Sequence, residues 1–253
     1  RLRYILVLLS LATLSLPMLQ QTIQFWEEKP LNGIGNNPKN PTLCVKNWLN
    51  GTYQDSLSRF VTTNIGFHHD LVRLNNQLYY SLYRTAQANK VVIGKENCLY
   101  DQVHIDSYLG KDYIGKSAIY KKIAAYLALR NLLKKKDITL LLVVVPGKGT
   151  ALTDFLPANQ EEKIGPTNYD VFAKGLDSLN VPYLDLVKWY QQVEGQSKYP
   201  LYALGGNHWS EYCGTLAGDT LLGFMEMQLH AEINRYHVRK VKYPVAPSPI
   251  DDD

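Results

Sequence analysis

The residues with the clearest chemical potential lie in the run Gly205-Gly206-Asn207-His208-Trp209-Ser210. The glycine pair permits a sharp turn, and this turn delivers His208 just ahead of a predicted helix that Ser210 is suited to cap. An imidazole has a pKa near physiological pH and can act as a general base. The alternative is that His208 and Trp209 only cap and pack that helix.

A lysine follows the most aliphatic run of the chain. Ile138–Val145 predicts a strand buried on both faces, and Pro146-Gly147-Lys148-Gly149 follows it. Loops at the carboxyl ends of parallel strands line the ligand crevice, so we expect Lys148 and Tyr202 to line a crevice with His208, near Asn207, Trp209 and Ser210. The spacing is not that of a phosphate-binding P-loop. The alternative is a solvated lysine in a turn.

Asp185 ends a second predicted strand, Val181–Leu186. A carboxylate at that position could orient the imidazole of a catalytic histidine. It could equally cap the helix that follows, which is the commoner reason for an aspartate there.

Several classes of protein are excluded by composition and spacing. The net charge of +4 is too small to indicate nucleic-acid binding. His68 and His69 are adjacent on a predicted helix and point about 100° apart, so they do not indicate a metal site; we expect no metal and no cofactor. Cys44, Cys98 and Cys213 lie far apart, which leaves either one disulfide with one free thiol or three free thiols.

The order of the predicted elements favours an α/β fold. The sequence predicts helices over Tyr53–Tyr83 with a break at Gly66, and a strand at Val91–Ile93. A helix over Ser117–Lys136 should turn inward Ile119, Ile123, Tyr126, Leu127, Leu129 and Leu133. Further helices are predicted over Tyr169–Leu179 and from Ser210 to about His230. Strands that alternate with helices predict a layered α/β domain with a parallel sheet.

The N-terminus predicts a membrane anchor. Tyr4–Leu19 is almost wholly apolar and would form a helix about 24 Å long, against a hydrocarbon core of about 30 Å. A cleaved signal peptide would need small residues before a cut site, and a buried core helix is rarely apolar on every side. Arg1 and Arg3 precede the stretch, so the positive-inside rule places the rest of the chain outside the cytoplasm. We expect an anchor over 1–26, a linker over 27–52 and an α/β domain over 53–253.

Five segments in a fixed order carry a family resemblance. They are Ile65–Asn75, Val91–Tyr100, Val143–Lys148, Val181–Leu186, and Leu201-Tyr202 leading into Asn207–Ser210. Behind an N-terminal anchor, this order resembles the SGNH-hydrolase-like domain of the alginate O-acetyltransferase (AlgX/AlgJ-type) family, over approximately residues 55–253. The resemblance implies a three-layer domain with a parallel sheet.

The resemblance also implies residue roles. The family pattern Asp-x-His-Trp makes His208 the catalytic base, and it puts Gly206 where the family has the aspartate that orients the base. The family's nucleophile is a serine in a Gly-Asp-Ser-like turn well downstream. Ser248, between two prolines, does not match it, so we expect the domain to be incomplete at its C-terminal end, with the nucleophile beyond Asp253.

The function that the resemblance implies is O-acetyl (acyl) transfer to a cell-surface or exported polysaccharide. The implied partners are a membrane-bound O-acyltransferase, the polysaccharide substrate, and membrane lipid around the N-terminal helix. The implied location is the cytoplasmic membrane, with the globular domain outside. The alternative is a catalytically inactive module that serves as a scaffold or a glycan-binding subunit.

Overall fold

Helices and short strands alternate along the chain in a computed structural model, which describes residues 2–31, 38–160, 162–236 and 238–242. The contacts divide the chain into two units, Arg1–Gln87 and Ala88–Asp253. The boundaries predicted after residues 26 and 52 stay predictions. Ser248 and the proline-rich C-terminal residues around it lie outside the described residues.

The first unit is helical in its described residues. It contains α1 (Leu2–Ile23), α2 (Val45–Leu49), α3 (Thr52–Asn64) and α4 (His68–Tyr83). The break predicted at Gly66 is confirmed, and α2 lies inside the segment predicted as an irregular linker.

The N-terminal helix has the length and composition of a membrane span. Its mean hydropathy is 1.8, and none of its apolar window is buried, so the alternative of a buried core helix is wrong. The apolar helix accommodates Thr13 and Ser15 because their hydroxyls donate hydrogen bonds to backbone carbonyls one turn earlier, those of Leu9 and Leu11. A signal sequence has the same features.

The second unit begins with a hairpin and two helices. Strand β1 (Val91–Ile93) pairs antiparallel with β2 (Leu99–Asp101). Helix α5 (Gln102–Leu109) follows, with the Asp101 side chain accepting a hydrogen bond from the Val103 amide as its N-cap. Helix α6 (Lys116–Lys134) matches the prediction for this segment.

Most of the inward face of α6 is as predicted, with one exception. Ile119 and Ile123 are buried against Leu176 and Val181. Leu129 is exposed, because at 3.6 residues per turn it lies about 120° around the helix from Ile123.

The strand predicted over Ile138–Val145 is wrong in its length and burial. Only β3 (Val143–Val144) is a strand, and both ends of the predicted run are about half exposed. It pairs in parallel with β4 (Leu184–Asp185) and, among the described residues, has no strand on its other edge. Both residues of β3 are only partly buried, so it is not the strand buried on both faces that the run predicts. The larger sheet and the three layers stay predictions.

Four helices complete the second unit. These are α7 (Lys148–Ala151), α8 (Asn168–Ser178), α9 (Leu186–Glu194) and α10 (Glu211–Leu229). Ser210 caps α10 as predicted, accepting a hydrogen bond from the Cys213 amide. The three cysteines are free; Cys44 is exposed, whereas Cys98 and Cys213 are buried.

Candidate functional site

Lys148 connects the turn after β3 to the loop over residues 203–208, which carries His208 and is called the histidine loop. Its side chain is completely buried, so the alternative of a solvated turn lysine is wrong. The Nζ atom donates to the carbonyl oxygens of Leu204 at 2.8 Å and Gly206 at 2.6 Å. The ring of Tyr100 lies below the ammonium group, with its centroid 5.4 Å from Nζ. Buried charges need such partners, so the loop backbone has a fixed place relative to this turn.

Burial has a direct effect on the charge of Lys148. Loss of hydration lowers the pKa of its ammonium group, while nearby Cys98 opposes that shift. The two carbonyl acceptors favour the protonated amine. The buried amine is thus hydrogen-bonded to the backbone that leads to His208.

The base of the histidine loop is held by backbone and ring contacts. Tyr202 and Trp209 form an antiparallel bridge across the loop. The Tyr202 hydroxyl donates to the Pro146 carbonyl at 3.0 Å, and its ring contacts the Tyr190 ring edge-on. Burial raises the pKa of Tyr202 to about 12, so the hydroxyl stays protonated and acts as a structural donor.

The hydroxyl and the backbone amide of Ser210 both hold the end of the histidine loop in place. Its hydroxyl donates to the Pro200 carbonyl at 2.8 Å and accepts from the Cys213 amide, and its own amide donates to the Leu201 carbonyl. Cys213 is buried, which raises the pKa of its thiol to about 11. Trp209 packs against the apolar cluster that contains Tyr190, Tyr202 and Cys213.

His208 and Asn207 lie at the tip of this loop and are exposed. The sequence therefore identified a loop whose two ends are anchored and whose tip presents an imidazole to solvent. This is the arrangement that a general base requires, because the base must reach a substrate proton.

A second histidine, His104 on α5, belongs to the same region. It is close enough for the side chains of His208 and Lys148 to act electrostatically on its imidazole. Its ring packs on the Pro146–Lys148 turn, since a Cβ at Gly147 would lie 3.7 Å from two ring atoms of His104. Gly149 allows this approach, because a side chain there would collide with the His104 carbonyl oxygen.

The imidazole of His104 is held neutral. Burial lowers its pKa, Asp101 opposes that shift, and the nearby side chains of His208 and Lys148 lower the pKa further. Its Nδ1 atom is buried and has no hydrogen-bond partner among the residues that the structure describes. A buried nitrogen of this kind can accept or donate a hydrogen bond to a group that enters the site.

Asp185 is engaged at the start of α9. Its carboxylate accepts hydrogen bonds from the amides of Val187 and Lys188 and from the hydroxyl of Tyr169. Lys188 Nζ lies 3.3 Å from the same carboxylate. The helix-capping interpretation of Asp185 thus describes its contacts, and a role in orienting His208 stays a prediction.

A comparison with family models decides the wider assignment. The model described as "SGNH hydrolase-like domain, acetyltransferase AlgX" matches residues 91–247, which is most of the chain. The chain belongs to the AlgX family. No curated protein and no solved structure matches the chain.

The AlgX match begins at β1 and continues beyond α10, so it contains the whole histidine loop, Lys148 and His104. In this AlgX-family chain, the resemblance puts Gly206 where the family pattern has an aspartate, and this correspondence stays a prediction. A Cβ added there would touch only the Ala203 Cβ, at 3.5 Å, and the backbone is not in the left-handed region. There is therefore room for a Cβ at this residue.

Sequence reasoning missed His104. It lies far from His208 along the chain, and its own neighbours match no catalytic motif. The available signal was indirect: Gly147 and Gly149 flank Lys148, and both leave space for another group against the turn.

Proposed function

We propose that this AlgX-family protein transfers acetyl groups to hydroxyls of a cell-surface or exported polysaccharide outside the cytoplasmic membrane. The observation that carries the proposal is the anchored loop, in which buried Lys148 holds the Gly206 carbonyl and leaves His208 exposed. The family's description as an acetyltransferase supports the class of reaction.

The proposed chemistry is acyl transfer in two steps. His208 takes the proton of a serine hydroxyl as the serine oxygen attacks the acetyl carbonyl carbon of a donor ester. The bond between that carbon and the donor oxygen breaks, the donor leaves with the proton, and an acetyl-serine remains. A sugar hydroxyl then gives its proton to His208 as its oxygen attacks the acetyl carbon of the acetyl-serine. The bond between that carbon and the serine oxygen breaks, His208 returns the proton to the serine oxygen, and the acetyl group remains on the sugar as an ester. The serine is the one that the family pattern has well downstream of the histidine.

The imidazole needs a group that fixes its tautomer and stabilises its charged form. Gly206 provides no carboxylate. We propose that a backbone carbonyl, Asp185 or a residue beyond Asp253 supplies this bond. His104, which is neutral and near His208, does not compete for the proton at neutral pH, because burial keeps its own pKa low.

We propose further that Lys148 and Tyr202 line the substrate crevice mainly through the backbone that they fix, and that Asn207 and Trp209 contact substrate. Asn207 is exposed beside the histidine, and its amide can both donate to and accept from sugar hydroxyls. Ser210 contributes through the helix that it caps.

The proposed location is the cytoplasmic membrane, with α1 as a single span and the globular domain in the periplasm or exterior. Arg1 and Arg3, which precede the apolar stretch in the sequence, support this orientation. The activated acetyl group must then cross the membrane, so we propose a complex with a membrane-bound O-acyltransferase. Recovery of only soluble proteins after purification in mild detergent would argue against that partner.

A second function has its own support. Because Gly206 replaces the orienting aspartate, the domain could be an inactive relative that serves as a scaffold or binds glycan. Loss of that carboxylate can lower the rate by orders of magnitude. The domain would then provide a surface that binds a partner or glycan, and His208 would not act as a catalytic base.

Transfer to a defined acceptor separates the two functions. The full-length protein, purified with its membrane helix, is incubated with an acetyl ester donor and oligosaccharides of the exported polysaccharide. Acetyltransferase activity predicts products heavier by one acetyl group per modified sugar in mass spectrometry. A scaffold or glycan-binding module predicts bound but unmodified oligosaccharide.

A further inference from the structure

The residues directly after α1 are hydrogen-bonded to the beginning of α4. Gln20, the most buried side chain described in α1, exchanges two hydrogen bonds with the Trp26 backbone. The Trp26 indole donates to the Asp70 carboxylate at 3.1 Å. Glu28 accepts hydrogen bonds from the amides of Phe67 and His69. The carboxylate of Glu28 therefore caps the N-terminus of α4 from a distant part of the sequence.

Two more contacts fix the same junction. Arg73 donates to the carbonyl oxygens of Lys29 and Pro30 at 2.8 and 2.7 Å. Gly66, just before α4, lies so close to α1 that a Cβ there would collide with the Pro17 carbonyl and lie 2.6 Å from Gln20 Cβ. The first turns of α4 are thus attached to the last turns of α1. If α1 spans a membrane, α4 begins at the membrane surface.

One face of α4 is apolar and exposed. Leu71, Leu74, Leu78 and Leu82 follow one another at helical spacing, and each is between 49% and 68% exposed. The exposed rings of Tyr79 and Tyr83 contact each other on a neighbouring face, since Tyr79 lies about 100° around the helix from Leu78. The helix itself carries one acidic and one basic residue, Asp70 and Arg73, so it has no charge excess that would attract it to an acidic or basic protein surface.

We infer that the apolar face of α4 lies in the interfacial layer of the membrane that α1 enters. An exposed apolar stripe on a helix attached to a membrane span is typical of a helix that lies in the membrane surface. The inference rests on the membrane anchorage proposed above. Because the helix is nearly uncharged, its attraction is to the acyl chain boundary and not to anionic headgroups.

A helix α4 that lies in the membrane interface keeps the residues that follow it at a short distance from the lipid. A single-span anchor with a loose linker would let the domain move far from the membrane. A helix attached to the span and lying in the interface keeps the chain that follows α4 close to the surface, where a membrane-bound acyl donor would present its group.

Quenching by lipid tests the inference on the full chain. Cys44 is replaced by serine, which leaves only the buried Cys98 and Cys213, and one cysteine is introduced at a time for an environment-sensitive fluorophore. The positions are Leu78→Cys on the stripe, Asn76→Cys on the opposite side of α4, and Leu9→Cys in α1. The protein is reconstituted into phosphatidylcholine vesicles that contain lipid brominated near the headgroup end of the acyl chain.

We expect quenching at Leu78 at least about twofold stronger than at Asn76, because an interfacial helix buries its apolar face about 5–10 Å into the headgroup and acyl boundary. Added salt should leave the difference unchanged. Quenching at Leu9 with none at Leu78 would overturn the inference and leave the anchor intact, whereas no quenching at either position would contradict the anchor itself. Disulfide-linked dimers of Leu78→Cys would assign the face to a second copy and also overturn the inference.

Discussion

The Lys148 ammonium nitrogen lies 2.6 Å from the carbonyl oxygen of Gly206, two residues before His208. One fully buried cation therefore connects the end of β3 to the loop that carries the proposed base. The loop has no regular secondary structure apart from the Tyr202–Trp209 bridge, so its shape depends strongly on this side chain.

Replacement of Lys148 by methionine should destabilise the second unit and loosen the histidine loop. The variant keeps the apolar stem but removes two charge-assisted hydrogen bonds, and we expect a loss of about 2–4 kcal/mol in the free energy of unfolding. Urea denaturation measures this loss. The control is Lys174→Met at an exposed position of α8, which should change stability by less than about 0.5 kcal/mol. Equal stability of the two variants would contradict the role given to Lys148.

Restoring a carboxylate at residue 206 should increase transfer activity. Gly206→Asp fits the space around this residue and puts an acid two residues before His208, so we expect a gain of at least about tenfold in kcat/KM for acetyl transfer. Gly206→Asn is the matched control, because it has the same shape without the charge. If the aspartate and asparagine variants have the same activity as the unmodified protein, residue 206 does not act on His208.

Acid should destabilise the protein through His104. Since its pKa in the folded state lies below the ordinary value of 6.5, the unfolded chain binds the proton more readily. The stability that the neutral imidazole provides is complete above about pH 6.5 and is lost as the pH falls toward the folded pKa.

The measurement for His104 is urea denaturation at about pH 7.5 and about pH 5. His104→Gln removes the titrating group, so the variant should lose less stability between the two pH values than the unmodified protein. An identical pH dependence in His104→Gln and the unmodified protein would show that His104 is protonated equally in both states.

Ser210→Ala should affect stability more than catalysis. The hydroxyl caps α10 and donates to the Pro200 carbonyl, and loss of such a cap costs about 1 kcal/mol. Ser210→Asn keeps a capping oxygen and should recover most of the loss in thermal unfolding. A large decrease in transfer activity with unchanged stability would instead give Ser210 a direct contact with substrate.

The sequence predicted the local features of the site better than its long-range contacts. The position of the histidine loop and the cap at Ser210 follow from residue types within a few positions of each other. The burial of Lys148 does not, because its acceptors are backbone carbonyls about 56 residues away, and any residue type could supply them. His104 was missed for the same reason.

The fold shows the same difference between local features, which the sequence predicts, and long-range contacts, which it does not. Helices with clear periodicity, such as α6 and α10, were predicted nearly to their ends. The aliphatic run before Pro146 predicts a fully buried strand, but burial depends on which elements pack over its two faces, and both residues of β3 are only partly buried. The attachment of α4 to the end of α1 rests on single hydrogen bonds across some forty residues, for which no sequence pattern exists.

The most direct test of the proposed function is the acetyl content of the exported polysaccharide in cells that produce the full-length protein with His208→Ala in place of the original. His208 is exposed and its loop is anchored elsewhere, so the variant should accumulate and unfold like the unmodified protein. Loss of a general base predicts acetyl transfer reduced by about a hundredfold to ten-thousandfold. Unchanged acetylation with a normally folded His208→Ala protein would contradict the assignment of His208 as the base and favour the scaffold function.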